Sequence, residues 1–365
     1  MTSLIKPLFE DGVEKLLREA ELAEGEKVGV LRGGNTGIYI KEKNLVLGKC
    51  ARETYLRYKG IQISQVEPSR KLMFEAGITN EDSWTNVLKQ KWEGKIKCEE
   101  EIPTSWKTDS GVLVTGRPDI VLCKEDGTPV RGIELKLASS IWTCRDVLIE
   151  DTPKFIHLTQ AAHYMWQVGC PFELWYTNRA DFHPNEMVER CLPKYNTPEF
   201  NRLRPYLEVV FYQMVMSKNG NLYKKRLKVT EGQFRDMIDQ HGYGWKEGNV
   251  NPGILKIYPF IAGYTMKWED NGKLSYTSVQ TGITYDTEIT IQRIKDYFEL
   301  VASIDSTGIL PPRAVGIKPD GTKLNYDIND YSEIKEINDL YEKKGLDVWL
   351  EKVKELSSQL VRENS

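Results

Sequence analysis

Residues 116–137, GRPDIVLCKEDGTPVRGIELKL, constrain the fold more than any other part of the chain. Two strand-like runs flank Asp126-Gly127, a dipeptide that is typical of a two-residue β-hairpin loop. If this dipeptide forms the loop, Glu125 pairs with Thr128. The sequence therefore predicts an antiparallel hairpin with a defined register.

That register places Asp119 directly opposite Glu134, and Lys136, two residues on, returns to the same face. Directly opposed like charges cost a few tenths to ~1 kcal/mol, so the pair does not stabilise the fold. A divalent cation explains it, because Mg²⁺ and Mn²⁺ bind to closely spaced oxygen ligands. Lys136 would then lower the pKa of a metal-bound water or stabilise charge on a phosphate. In the alternative, Lys136 merely neutralises Glu134 on a solvated strand.

Composition narrows the class of protein. Of the 365 residues 40% are hydrophobic and 28% charged, and the net charge of −3 provides no overall basic field for a nucleic acid. Six cysteines without a C-x-x-C pair argue against a disulfide framework or zinc ribbon and favour a reducing compartment. Without a long apolar run or secretory signal, we expect no membrane contact and a cytoplasmic location, the host cytoplasm if the protein is viral.

A further carboxylate precedes the hairpin, within the helical pattern of residues 74–88. Glu81 falls in the middle of an apolar stripe, where a carboxylate is costly unless it is paired or bound to metal. Gly77, one turn earlier, would allow another backbone to approach closely. In the alternative, residues 79–82 begin a helix and Glu81 complements its dipole. The apolar residues of the stripe are Phe74, Ile78, Trp84 and Leu88.

A well-marked helix follows the hairpin, with Thr152 as N-cap, Pro153 at the first helical position and Gly169 just past the end. Gln160 and Tyr164 are neighbours on one face, one turn apart. Such a face either lines a cleft and binds phosphate oxygens or is an ordinary wet surface. The same polar face is predicted to carry His157, His163 and Gln167. The histidines lack zinc spacing, so no metal is assigned to them.

The remaining segments complete an alternation of helices and strands, which indicates the α/β class. Residues 1–49 read as a helix and a glycine-rich hairpin, LRGGNTGIYI, whose glycines we attribute to a turn with positive φ. Residues 48–62 read as a helix that either contacts a nucleic-acid backbone or packs internally. The lysine-rich run 222–229, LYKKRLKV, either contacts a nucleic-acid strand or is the solvated face of a hairpin. Further elements are a buried strand at 171–178, hairpins at SKNGN and EDNG, a capping box at Thr230–Gln233, and helices near 287–304, 331–343 and 346–362.

These segments together resemble the PD-(D/E)XK nucleases, specifically the RecB-like branch, which includes CRISPR-associated iron–sulfur exonucleases and phage recombination exonucleases. The resemblance covers roughly residues 48–178, in the family's order. Its motifs are Cys50-Ala-Arg52…Tyr55…Lys59-Gly60-Ile61 (leading helix), Gly77…Glu81 (G-x-x-x-H/E), Gly116-Arg-Pro-Asp119 (G-x-x-D), Glu134-Leu-Lys136 (E-x-K) and Gln160…Tyr164 (Q-x-x-x-Y).

The resemblance implies a central mixed β-sheet flanked by helices, a mixed α+β C-terminal region, and metal-dependent hydrolysis of DNA phosphodiester bonds. Lys136 would position or activate the attacking water, while Gln160 and Tyr164 would hold the strand and orient the catalytic groups. The implied ligands of Mg²⁺ or Mn²⁺ are Glu81, Asp119, Glu134 and the carbonyl of Leu135.

Two departures from the family pattern matter. Many relatives have His in place of Glu81, and Glu adds negative charge that favours the binding of a metal ion. Cluster-bearing relatives follow a stretch like Gly308-Ile-Leu-Pro-Pro312 with three cysteines, but here none follows. Cys50 lacks these partners and a cluster requires four thiolates, so we expect no iron–sulfur cluster.

The expected organisation has four parts: residues 1–47 (helix and hairpin), 48–205 (nuclease core), 206–286 (hairpin-rich insertion or accessory region) and 287–365 (helices that pack on the core). The expected function is exonucleolytic processing of single-stranded or duplex DNA ends in recombination, repair or phage DNA processing. The alternative is a non-catalytic nucleic-acid-binding or assembly protein that keeps the nuclease fold. Binding of a protein partner, or of a second copy of the chain, through the C-terminal region is a further alternative.

Overall fold

The computed structural model describes residues 28–61, 68–98, 101–138, 143, 146–147, 150–178, 197–257, 261–315 and 332–363. They form a mixed α/β fold with several sheets, as the alternating pattern predicted. One compact unit comprises Met1–Lys136, Pro153–Trp175 and Gly263–Ser365, and a second comprises Leu137–Thr152 and Tyr176–Ala262. The predicted N-terminal helix lies outside the described residues, and the four-part division stays a prediction.

The described elements are named in chain order. The strands are β1 (Leu31–Arg32), β2 (Gly37–Ile40), β3 (Leu45–Gly48), β4 (Lys95–Cys98), β5 (Thr104–Lys107), β6 (Leu113–Gly116), β7 (Ile120–Cys123), β8 (Pro129–Ala138), β9 (Phe172–Asn178), β10 (Leu207–Met216), β11 (Leu222–Leu227), β12 (Val250–Ile257), β13 (Ile261–Trp268), β14 (Lys273–Ser278), β15 (Thr284–Thr290) and β16 (Ala314–Val315). The helices are α1 (Ala51–Tyr58), α2 (Pro68–Lys91), α3 (Phe155–Val168), α4 (Pro198–Leu203), α5 (Glu231–His241), α6 (Ile291–Ala302), α7 (Ile304–Thr307), α8 (Ser332–Tyr341) and α9 (Leu346–Glu363).

The largest sheet has the strand order β15-β14-β13-β9-β8-β7-β4. Strands β7 and β8 are antiparallel, with Ile120 opposite Ile133. The residues just beyond this pair are Asp119 and Glu134, so the predicted register at the candidate site is confirmed.

The loop of this hairpin has three residues rather than the predicted two. The N–H of Lys124 donates to the carbonyl of Thr128, and the N–H of Gly127 donates to Lys124, both at 2.9 Å. Gly127 has φ +87°, which favours glycine. The register then shifts by one residue before Cys123, so that Val130 is an extra residue in β8. This β-bulge offsets the longer loop, which is why the predicted register is correct although the predicted loop is wrong.

One face of the sheet packs against α2. The buried side chains of that face form an apolar cluster with three aromatic and aliphatic side chains of the helix and of the residue after it, Trp84, Leu88 and Trp92. Because side chains alternate along a strand, burial of Ile133 and Leu135 on this face directs Glu134 and Lys136 to the other face. The sheet residues of the cluster are Ile96, Ile120, Leu122, Ile133 and Leu135.

Helix α3 begins later than predicted. It starts at Phe155 with Lys154 as the N-cap, and no side chain caps it, so the roles assigned to Thr152 and Pro153 are wrong. Its end is as predicted, because Gly169 has φ +74° in the left-handed region.

The glycine-rich segment after β1 is a short 3₁₀ helix, Gly33–Asn35, and not a hairpin turn. Strand β1 pairs with β6 in parallel, while β2 forms the antiparallel hairpin with β3. Neither Gly33 nor Gly34 has positive φ, so that part of the prediction is wrong. A Cβ on Gly33 would lie 2.7 Å from the ring of His163, so close packing explains this glycine instead.

Helix α1 packs internally, which favours the second of its two interpretations. Arg52 is only 5% exposed. Its guanidinium donates to the carbonyl of Pro311 at 2.8 Å, to Asn338 at 3.1 Å and to Glu342 at 2.9 Å. These bonds tie α1 to α8 and to the residue that follows it.

The second unit contains the three-stranded sheet β11-β10-β12. Helix α5 covers one face of it, and Phe234 stacks on Phe211 with ring centroids 4.1 Å apart. The predicted capping box of Thr230 and Gln233 is confirmed. None of the helices in the described ranges combines the length and apolar character that crossing a membrane requires.

Candidate active site

Glu134 is the most deeply buried carboxylate of the predicted site, with 0% exposure. Its position on β8 fixes the direction of its side chain, which points away from the cluster packed against α2. One oxygen, Oε1, accepts a hydrogen bond from Lys136 Nζ at 2.5 Å. The other, Oε2, is buried and has no hydrogen-bond partner among the described residues.

Asp119 lies opposite, on the residue that precedes β7. Its Oδ2 accepts the main-chain N–H of Leu135 at 2.7 Å, so the neighbouring strand holds the carboxylate in position. The side chain of Leu135 is buried in the apolar cluster, so only its main chain is available to a ligand. The structure therefore brings Asp119, Glu134 and Lys136 together, as predicted.

The charges of these groups depend on one another. Burial raises the pKa of Glu134 to about 8, and the charge of Asp119 adds to the rise while Lys136 opposes it. Burial lowers the pKa of Lys136, but the carboxylates of Glu134 and Asp119 outweigh it and raise this pKa above the usual value. Lys136 is therefore a cation at neutral pH.

Tyr164 lies beside the carboxylates and is only 3% exposed. Burial raises the pKa of its hydroxyl, and Glu134 and Asp119 raise it further. Hydrogen bonds from the side chain of Gln160 and the main chain of Arg117 lower it in part. Gln160 and Tyr164 thus belong to the same site, and the alternative of a wet helical surface does not apply to Tyr164.

Two glycines make room for the ring of Tyr164. A Cβ on Gly116 would lie 2.5 Å from Cε1 of this ring, and a Cβ on Gly33 would lie 2.9 Å from the same atom. Real Cβ atoms essentially never approach another heavy atom this closely, so a side chain at either position would force the neighbouring rings to shift. This gives the glycine of the G-x-x-D motif a packing role.

The prediction that His163 lies on a polar face of α3 is wrong. This residue has 0% exposure and packs among Trp106, Trp166 and Phe298. Trp106 Nε1 donates to His163 Nε2 at 2.9 Å, so that nitrogen carries no proton. Burial lowers the pKa of His163 to about 3. Burial, with Lys136 as the next cause, also lowers the pKa of His157, so both imidazoles are neutral at pH 7.

Glu81 is an interior residue of α2, so the alternative in which it marks a helix N-terminus is wrong. It is partly buried, and its charge raises the pKa of Glu134 slightly, which places it within electrostatic range of the pair. The close backbone approach predicted at Gly77 is also wrong, since no atom lies within 4 Å of an added Cβ. Ile78 of the predicted stripe is 53% exposed, while the side chain of Phe74 lies outside the described residues.

The donors at the site suit a hard divalent cation. Within the described ranges, no three His, Cys, Asp and Glu side chains are arranged to hold a metal ion between them. Mg²⁺ does not require such a cage, because it usually binds to one or two carboxylates and completes its shell with waters and substrate phosphates. Asp119 and the unpartnered Oε2 of Glu134 supply that number of carboxylates.

Sequence reasoning missed three contributors to the site. Arg117 acts through its main chain, Trp106 orients the ring of His163, and Gly33 accommodates the tyrosine ring. Arg117 stands inside a motif that was recognised, so its proximity could have been inferred. Nothing in the local sequence connects Gly33 or Trp106 to this helix.

Comparison of the chain with protein-family models and with curated proteins finds no match.

Proposed function

We propose that the protein is a Mg²⁺- or Mn²⁺-dependent deoxyribonuclease of the PD-(D/E)XK superfamily, most similar to the RecB-like branch, acting on DNA ends as an exonuclease. The observation that carries this proposal is the Glu134 carboxylate, which is fully buried opposite Asp119 and has one oxygen without a hydrogen-bond partner. A buried, incompletely satisfied carboxylate costs free energy, and fold stability does not explain it. A bound cation does.

Asp119, Glu134 and the carbonyl of Leu135 would hold the cation, and Glu81 would add negative charge or a further oxygen. A divalent cation at this position polarises a phosphodiester and stabilises the charge that builds up on the leaving oxygen. The ligands are all oxygens, which suits Mg²⁺ or Mn²⁺ and not an iron–sulfur cluster.

Lys136 would act as a positioned cation. Its raised pKa means that it is protonated at neutral pH, so it donates hydrogen bonds and does not serve as a general base. An ammonium beside the pair can orient the attacking water and stabilise charge on the phosphate. Its contact with Glu134 fixes where its protons point.

Gln160 and Tyr164 would be positioning residues. Tyr164 is confined by two glycines and by hydrogen bonds from Gln160 and the main chain of Arg117, so its hydroxyl has a defined place beside the carboxylates. A fixed donor at that place can hold the scissile phosphate in line with the water.

The proposal is tested by incubating linear and circular DNA, each single- and double-stranded, with the protein and Mg²⁺, Mn²⁺ or EDTA. We expect degradation of linear DNA with either metal, none in EDTA, and a loss of about 10²-fold or more in Lys136→Ala. The matched control is Lys267→Ala, which removes a 71% exposed lysine paired with Glu269. This control is expected to cleave like the wild type.

The other outcomes separate the alternatives. Nicking of circular DNA would show that the protein is an endonuclease and not an exonuclease. Binding without cleavage in every metal condition would overturn the proposal in favour of a non-catalytic nucleic-acid-binding protein, and absence of binding would favour an assembly protein. Equal cleavage by Lys136→Ala and the wild type would overturn the assignment of the site.

A further inference from the structure

The second unit concentrates positive charge on one hairpin. Between Glu208 and Glu231 the sequence has no acidic residue. The same stretch carries five basic residues although the chain as a whole has a net charge of −3. Those residues are Lys218, Lys224, Lys225, Arg226 and Lys228. This local field would attract a polyanion that the whole molecule would not.

The register of the hairpin divides these charges between two faces. Phe211 pairs with Leu227 on the face that α5 covers. Tyr212 pairs with Arg226, and the next residue on the same face of β11 is Lys224. Arg226 and Lys224 therefore project from the face opposite α5, at an edge strand of the sheet.

An exposed tryptophan lies on this same face. Trp245 is 62% exposed, and Lys224 Nζ lies 4.7 Å from the centroid of its ring and 5.6 Å from that of Tyr212. A large aromatic surface left in water is unfavourable for folding, and such side chains are typical of binding sites. One side of the indole receives the ammonium group, and most of the ring remains open to solvent.

The loop that carries Trp245 is held in place from both ends. Asn251 Nδ2 donates to the carbonyl of Gly244 at 2.8 Å. The N–H of Gly248 donates to Met214 at 2.8 Å, and Gln213 Nε2 donates to Gly248 at 3.2 Å. The ring is therefore presented on a fixed loop, so that binding would require little ordering of the chain.

We propose that this surface, formed by Tyr212, Lys224, Arg226 and Trp245, binds single-stranded DNA, with a base stacked on the indole and phosphates on the basic side chains. The proposal rests on the proposed nuclease function for the choice of DNA as the polyanion. Base faces are accessible for stacking in an unpaired strand and not inside a duplex, which selects the single strand. The simpler interpretation of the lysine-rich run, a solvated hairpin face, does not account for the exposed ring beside Lys224.

The test measures binding of a fluorescein-labelled oligo-dT of about 20 nucleotides by anisotropy in EDTA, where no metal-dependent cleavage occurs. Stacking on an aromatic side chain predicts binding about 5- to 150-fold weaker in Trp245→Ala. Trp245→Tyr, which keeps a stacking ring, should retain most of the affinity. Lys224→Ala should weaken binding and lower the slope of log K against log salt by about 0.7, as expected for one lost phosphate contact on a single strand. Lys267→Ala controls for the loss of an exposed lysine that does not belong to the proposed surface.

Several results would overturn the proposal. They are unchanged affinity in Trp245→Ala, equal losses in Trp245→Tyr and Trp245→Ala, equal binding of oligo-dT and its blunt duplex, and polyglutamate binding with the same dependence on Trp245. The last result would identify an acidic protein as the partner. The two proposals can fail separately. If the protein is not a nuclease, no metal-dependent cleavage is seen, while the binding assay in EDTA still measures whether this surface binds DNA.

Discussion

Burial of Glu134 links the candidate site to the stability of the protein. Its pKa of about 8 lies above the ordinary value of 4.5, so the folded state holds a proton that the unfolded state releases at lower pH. The contribution of protonated Glu134 to the free energy of unfolding is therefore fully present below pH 4.5 and is lost as the pH rises through 8.

This linkage predicts a measurable slope. In EDTA, the free energy of unfolding should fall by about 2 kcal/mol between pH 6 and pH 8 because of Glu134. Urea unfolding at several pH values measures it. In Glu134→Gln, which keeps the size of the side chain, that part of the slope should disappear. A slope identical to that of the wild type would show that Glu134 is not the titrating group.

Gly116 provides a second test at the scale of one residue. An added methyl group would clash with the ring of Tyr164, so Gly116→Ala should destabilise the protein by about 1–3 kcal/mol and reduce cleavage by displacing Tyr164. The matched control is Gly77→Ala in α2, where the Cβ meets no atom within 4 Å. This control should be neutral or stabilising by about 0.5–1 kcal/mol, because alanine favours a helix. Equal effects on the unfolding midpoint would contradict the packing argument.

At the scale of single elements, local rules predicted the hairpin better than they predicted its loop. The pairing of β7 with β8 follows from strand alternation around Asp126-Gly127. The three-residue loop and the bulge at Val130 do not, because a bulge depends on how a strand fits its neighbours in the sheet. The two departures cancel, and Asp119 still meets Glu134.

Helix α3 shows the limit of periodicity. A polar face was predicted from His157, Gln160, His163 and Tyr164, but His163 and Tyr164 are buried. Long-range contacts with Trp106 and Gly33 make these polar residues part of the interior, and no local pattern reports such contacts. Amphipathic patterns identify helices reliably. They do not predict which polar side chains are buried by contacts with residues far away in the sequence.

Helix α1 yields a prediction about docking between elements. Arg52 is buried and bonds to Pro311, Asn338 and Glu342, so Arg52→Ala should destabilise the protein by about 1–3 kcal/mol through the loss of these three hydrogen bonds. Arg57→Ala is the matched control, since Arg57 is 53% exposed and its buried partner Glu53 keeps an ion pair with Lys49. Its effect should stay below about 1 kcal/mol. Similar urea midpoints for the two variants would show that α1 is not anchored through Arg52.

Charge is distributed unevenly along the chain. The net charge of −3 excludes a general attraction to nucleic acid, yet a basic hairpin and a site suited to a divalent cation provide two local points of attraction for a polyanion. A protein of this net charge that binds a polyanion would need such local features. Composition does not predict where such features lie, because Trp245 and Lys224 meet only through the fold of the second unit.

Titration with Mn²⁺, followed by electron paramagnetic resonance, measures whether Asp119 and Glu134 form a divalent-cation site. Wild-type protein should bind Mn²⁺, and Glu134→Gln and Asp119→Asn should each bind at least about tenfold more weakly, since each loses a charged ligand. Glu355→Gln, which neutralises a 52% exposed carboxylate on α9, should bind like the wild type. Equal affinity in all four proteins would show that neither Asp119 nor Glu134 binds the cation.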